Sequence, residues 1–214
     1  MKAAEYEAWY HTSKGQWIGK CEISLLLDLM QPKEGEILLD VGSGTGYFSR
    51  YFAKHGINVK GIDPDESMIE YAREISNNVE FIKGDARQLP FEDNSFDYCV
   101  AITSLCFISD PEKALSEMLR VSRKTVVLGL LNRKSILFYQ KHGKGAYQGA
   151  RWDTYASVKK WLAKLSIFPE KILCKSAVFI PTGGFIAKIL EKLMPNYFPF
   201  GGFLTVKIDK DSLN

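Results

Sequence analysis

The chain has 214 residues, 46% of them hydrophobic and 25% charged, with a formal net charge of +3. That length suits one sizeable α/β core, and the composition excludes extended disorder. The basic bias is too mild to argue for nucleic acid or an anionic membrane, no apolar run approaches the ~20 residues of a membrane span, and the N-terminus lacks a signal-peptide core, so the chain reads as cytoplasmic.

In chain order, an aromatic-rich N-terminal stretch comes first, carrying Tyr6, Trp9, Tyr10, His11 and Trp17. From residue 36 apolar strands alternate with amphipathic helices: strand 36–41 precedes a helix over 47–55, and strand 59–63 precedes a helix over 67–74. Strands over 79–82, 98–102 and 125–130 follow, with a helix over 111–121 between the last two. Pro111 suits the first turn of that helix and Asp110 or Ser109 can cap it, while Gly56 closes an earlier helix. Near-continuous apolar strands require cover on both faces, which predicts a doubly wound α/β sheet. Beyond residue 131 come a basic loop, Lys141-His142-Gly143-Lys144-Gly145, a helix over 155–165, a strand near 172–179, a helix over 185–193 and a last strand over 203–208. Cys21, Cys99, Cys106 and Cys174 are scattered, which suggests neither a zinc site nor a disulfide framework, and no metal is expected. Cys106 alone stands near a ligand's path.

Gly42, Gly44 and Gly46 lie between a strand and a helix, where a backbone without side chains approaches a ligand closely and takes positive φ; a tight turn alone also explains them. Counted from Gly42, the sixth position of a dinucleotide fingerprint is Tyr47, and no Gly-Lys-Ser/Thr follows for a P-loop. Asp40 ends the strand before the loop, where it would repel a pyrophosphate but suits a ligand with an ammonium and a sulfonium. Asp63 closes the second strand at the place where a carboxylate accepts both ribose hydroxyls, or else it caps the next helix, a task Asp65 can also fill.

Leu39-Asp40-Val41-Gly42-Ser43-Gly44-Thr45-Gly46, Gly61-Ile62-Asp63-Pro64-Asp65-Glu66-Ser67-Met68, Gly84-Asp85-Ala86 with Leu89-Pro90-Phe91, and Phe96-Asp97 follow in order. This succession resembles the class I S-adenosylmethionine-dependent methyltransferases, in particular the small-molecule and quinone subgroup. The resemblance implies a Rossmann-like sheet of about seven strands, mostly parallel with an antiparallel last strand and helices on both faces. It implies S-adenosylmethionine as cofactor and S-adenosylhomocysteine as product. Asp40 and the loop Gly42, Ser43, Gly44 and Gly46 would then receive the methionine amino and carboxylate groups. Asp63 would take the ribose, Asp85 the adenine amine with the Ala86 amide facing the ring, and Pro64 and Met68 would pack on the base. Ile102, Thr103 and Ser104 would line the place where the methionine end meets the substrate. Thr103-Ser104-Leu105-Cys106 departs from the Asn/Asp-Pro-Pro-Tyr/Phe of enzymes that methylate DNA bases, and Phe107-Ile108-Ser109-Asp110 lacks the His many relatives carry near there.

The expected layout is a single domain over 1–214: an N-terminal helical lid over 1–30, a cofactor core over 31–131 and substrate-side elements over 132–214. Tyr10 or Trp17 would close the methionine end. Arg133, in Asn132-Arg133-Lys134-Ser135, and Arg151, before Trp152, are candidates to hold an acidic substrate group. Residues 181–202 would wall an apolar pocket. Tyr10, His11, His142 and Tyr147 are the candidate bases, although methyl transfer is an in-line displacement that positioning alone accelerates. The reading is a metal-independent methyltransferase acting on a small-molecule acceptor, without nucleic acid or a membrane span. The alternatives are a nicotinamide-dependent oxidoreductase and a non-catalytic S-adenosylmethionine-binding module.

Overall fold

The computed structural model describes residues 2–169 and 171–210; residues 1, 170 and 211–214 of the expected layout lie outside them. The chain opens with α1 (Ala3–His11) and α2 (Ser13–Met30). Thr12 caps α2, its Oγ1 accepting the Gly15 N–H at 3.0 Å. Gly15 lets the two helices meet, because a Cβ there would fall 2.0 Å from the Trp9 carbonyl oxygen. The buried face of α2 repeats at helical spacing through Ile18, Glu22, Leu25, Leu26 and Leu29.

Then come β1 (Ile37–Val41), α3 (Tyr47–Lys54), β2 (Asn58–Asp63), α4 (Glu66–Glu74), β3 (Glu80–Lys83), β4 (Phe96–Ile102), α5 (Pro111–Val121) and β5 (Ser122–Leu131). Asp110 caps α5 and Asp65 caps α4, each through a side-chain oxygen accepting a first-turn N–H. The cap of α4 is therefore not Asp63. The remainder is α6 (Ile136–Lys141), α7 (Tyr155–Lys164), β6 (Ile172–Ala177), α8 (Phe185–Leu193) and β7 (Phe203–Asp209). Helix α6 was not expected from the pattern: it has no buried residue, and Ile136 and Tyr139 stand in solvent, so no periodic stripe announces it.

The seven strands form one sheet in the order β3-β2-β1-β4-β5-β7-β6. β7 runs antiparallel to both its neighbours and the other pairs are parallel, as expected for a Rossmann-like doubly wound fold. Successive strand residues point to opposite faces. Leu39, Cys99, Ala101, Val126 and Leu128 meet Leu115, Met118 and Trp161 of α5 and α7 on one side. Leu38, Val100 and Val127 meet Leu26, Phe48 and Phe52 of α2 and α3 on the other. Burial of each such side chain contributes roughly 1.5–3 kcal/mol, so two dry layers suffice to clamp the sheet.

Strand order reverses between β1 and β4, which opens a crevice at their carboxyl ends. Helix α1 packs against both α2 and α4 and so crosses this end of the sheet.

Candidate active site

The crevice is a cleft of about 470 Å³ walled by the ends of β1, β2, β3 and β4. Gly42 (φ 74°) and Gly44 (φ 53°) line it in left-handed conformations. A Cβ on Gly42 would fall 2.3 Å from that of Ser104, whose Oγ donates to the Val41 carbonyl at 2.7 Å and binds the end of β4 to the end of β1. Gly44 is open to the cleft, with Tyr6 as its nearest neighbour at 3.9 Å. Ser43 and Gly46 are not part of the wall. Gly46 yields its space to Phe81, 2.4 Å from where a Cβ would sit, and the Ser43 hydroxyl is buried without a partner.

The three expected acids occupy different environments. Asp63 lines the cleft, and each of its oxygens accepts one main-chain N–H, from Gly44 and from Asp65, both at 2.9 Å. Those bonds pin the glycine loop and leave lone pairs for a ligand; burial outweighs them and raises its pKa. Asp85 also lines the cleft but is exposed. It forms a forked pair with the Arg87 guanidinium and accepts the Arg87 N–H, which together lower its pKa. Asp40 does not reach the cleft: it is buried behind the loop, where Ser49 Oγ donates to it at 2.5 Å. Burial pushes its carboxyl up to about 7, against the Ser49 bond. A direct contact between Asp40 and an amino group is therefore replaced by support of the loop from behind. Pro64, Met68, Ala86, Ile102 and Thr103 all stand in the cleft wall as expected.

A second cavity of about 420 Å³ adjoins the first, walled by α1, α2, the segment 137–147 and the turn after β6. Tyr6, Thr103 and Phe107 belong to both walls. Thr103 is held at φ 51°, rare for a β-branched residue, by its N–H to the Gly129 carbonyl at 2.8 Å. Val178 in the second cavity is likewise left-handed (φ 63°), with its N–H and that of Phe179 donated to the Glu191 carboxylate. Both strained turns face a cavity, where strain of this kind concentrates.

Helix α1 reaches the glycine loop through Glu7, which is buried, accepts from Thr45 Oγ1 at 2.6 Å and pairs with Arg50. Tyr10 stacks on Tyr47 with centroids 3.8 Å apart and meets the Tyr6 hydroxyl at 3.2 Å. Tyr10 thus walls the second cavity rather than the cleft. Trp17 lines neither cavity and docks α2 on the core.

Among the candidate bases, His11 and His142 are exposed and outside both walls. Tyr147 lines the second cavity, but burial pushes its phenol up to about 12 and that of Tyr10 well above the usual value. Arg133 is exposed and lines nothing. Arg151 is already engaged: it forks onto Asp153, donates to the Leu105 and Ile108 carbonyls and lies over the Trp161 ring, so it braces the turn carrying Phe107. Asn132 likewise holds the Pro199 and Gly201 carbonyls. The two polar patterns flagged in the sequence are scaffolding for the second cavity. Pro181 and Gly202 do wall it. Cys106 is buried beneath the cavities, its Sγ bonded to the Thr103 carbonyl, and lines neither.

Sequence reasoning named Tyr6 and Phe107 without giving either a place in the site, and it missed Glu7 and Glu22. Glu22 carried a signal: it interrupts an apolar stripe at helical spacing, a core position where a carboxylate is costly. It lines the second cavity, is 9% exposed, and burial pushes its carboxyl up to about 8. Among the described residues, no three His, Cys, Asp or Glu side chains gather as a metal group, and no helix is long and apolar enough to cross a membrane.

A doubly wound sheet with a glycine loop and a ribose-height carboxylate at its switch point defines a nucleoside-cofactor domain. Comparison with known proteins narrows this. Residues 39–128 match the family model described as a methyltransferase domain. A demethylmenaquinone methyltransferase of Renibacterium salmoninarum is 38% identical over 99 residues, 46% of this chain and 42% of that protein. An uncharacterised protein of Methanocaldococcus jannaschii is 27% identical over 97% of this chain and 96% of its own. A Thermotoga maritima structure, described as a SAM-dependent methyltransferase and possible histamine N-methyltransferase, superposes with TM-score 0.74 at 26% identity, covering 97% of this chain and 95% of that one. The matches to the first curated relatives extend over about two fifths of their length. Residues 39–128 therefore carry a methyltransferase domain, and over almost its whole length the chain shares the fold of the S-adenosylmethionine-dependent methyltransferase of Thermotoga maritima.

Proposed function

We propose that this chain transfers the methyl group of S-adenosylmethionine to a small-molecule acceptor held in the aromatic cavity, by in-line displacement and without a metal. The observation that carries this reading is the wall of Tyr6, Thr103 and Phe107 that the cleft and the aromatic cavity share, which sets the two side by side.

The residues of the cleft fit the cofactor. Asp63 has lone pairs left for two ribose hydroxyls; Pro64, Met68 and Ala86 offer an apolar seat for a base, with the Asp85 carboxylate beside it; Gly42 and Gly44 present backbone where a carboxylate and a sulfonium chain must pass. The bound cofactor supplies an activated methyl on sulfur. The protein's part is geometric. Arg151 fixes the 105–108 turn, and the α1 anchor through Glu7 holds Tyr6 beside the loop, so these groups would orient an acceptor toward the bound cofactor, and positioning of this kind is itself a large share of the acceleration of an in-line displacement. With α1 in this role, residues 2–30 act as the cover of the site. Titration calorimetry of the full chain with S-adenosylhomocysteine and, separately, NAD tests the reading. Micromolar binding of the first and none of the second is expected; NAD binding without S-adenosylhomocysteine binding would contradict it.

A further inference from the structure

Glu22 lines the aromatic cavity, and the cofactor reading gives it no work. Its helix places it among the apolar contacts Ile18, Leu25 and Leu26, yet it opens into the acceptor cavity. No hydrogen bond or ion pair reaches its carboxylate among the described residues. A buried acid of this kind is expensive unless a cation or donor arrives to meet it. The surrounding wall is aromatic: Tyr6, Trp9, Tyr10, Tyr147 and Phe203. Ring faces attract cations and repel anions, so carboxylate and rings favour the same ligand charge.

Resting on the methyltransferase reading, we propose that Glu22 is the acceptor-binding residue of the aromatic cavity and that the acceptor is a small amine with an apolar body. The amine pairs with Glu22 while its apolar part lies among the tyrosines. Charged groups elsewhere on the wall do not compete for that position: Lys141 and Lys144 are exposed at the rim, Lys14 is half-buried on the first turn of α2, and Glu5 is exposed on α1. Tyr6, Tyr10 and Tyr147 all feel the Glu22 charge, and burial keeps the three phenols neutral. In the free protein Glu22 is mostly protonated near pH 6.5, because burial sets it at about 8. Pairing with an ammonium draws it into the ionised form, so amine binding releases a proton and tightens as pH rises toward 8.

The test is calorimetry on the full chain with S-adenosylhomocysteine present. Arylalkylamines with one to four methylenes are each compared with the alcohol of equal length, at pH 6.5 in two buffers of different ionisation heat. The expected result is an amine that binds at least ten-fold tighter than its alcohol and releases most of a proton. Glu22→Gln should bring that amine to the level of the alcohol, with S-adenosylhomocysteine affinity kept within two-fold and no loss of melting temperature. The proposal is overturned if no amine is preferred, or if the preference or the proton release survives in Glu22→Gln. Absence of S-adenosylhomocysteine binding would instead strike the reading beneath it, and the two failures are told apart in the first titration.

Discussion

The two adjoining cavities are built on different principles. The cleft is built largely on main chain and acids at strand ends and, Tyr6 apart, takes its wall from residues between Gly42 and Ser109. The aromatic cavity takes its wall mostly from α1, α2, the 137–147 segment, the turn after β6 and the start of β7. A cofactor common to a family can be bound by backbone geometry that tolerates little change, whereas an acceptor is met by replaceable side chains on a rigid frame.

If that contrast is correct, the largest effect belongs to the cleft. Asp63→Ala removes the ribose acceptor and the clasp on Gly44, and should weaken S-adenosylhomocysteine at least 100-fold by calorimetry. Gly42→Ala should destabilise the fold by about 3 kcal/mol in urea unfolding, since its Cβ meets Ser104 at positive φ, while Gly44→Ala, in open space, should cost only about 1 kcal/mol. Arg151→Ala should cost about 2 kcal/mol, because buried Asp153 and two carbonyls lose their donor.

Glu22 gives a pH-dependent effect of similar size. Its folded pKa, about 8, lies above the ordinary 4.5. Its stabilising contribution is therefore fully present below about 4.5 and is lost as pH rises through 8. Glu22→Gln should gain on the wild type by about 2 kcal/mol between pH 6 and pH 8, read from denaturant midpoints. The smallest effect is expected at Arg133, where alanine should leave stability and ligand affinity unchanged within two-fold, since its side chain lines neither cavity.

The same contrast explains what was legible in the sequence. The strands and helices of residues 36–131 follow from apolar periodicity, and the cleft follows from Gly42, Asp63 and Asp85, because backbone-built sites need particular residues at particular spacings. Asp40 was legible as an acid but not as a buried one, since burial depends on how α3 brings Ser49 over it. Arg151 looked like a ligand because its partners, Leu105 and Ile108, offer carbonyls that no side-chain pattern displays. Tyr6 and Phe107 were not legible as neighbours, since α1 and the turn after β4 meet only in three dimensions. Glu22 was the exception: one charge in the stripe of α2 was a signal available in the sequence.

Under the proposed function, methyl donor and acceptor meet at the wall shared by the two cavities. A crystal structure with S-adenosylhomocysteine tests it most directly. Ribose hydroxyls are expected on Asp63, the base between Met68 and Ala86, and the sulfur turned toward Tyr6 and Thr103 beside the aromatic cavity. An adenosyl group lodged in the aromatic cavity, or a sulfur facing away from it, would rule that meeting point out.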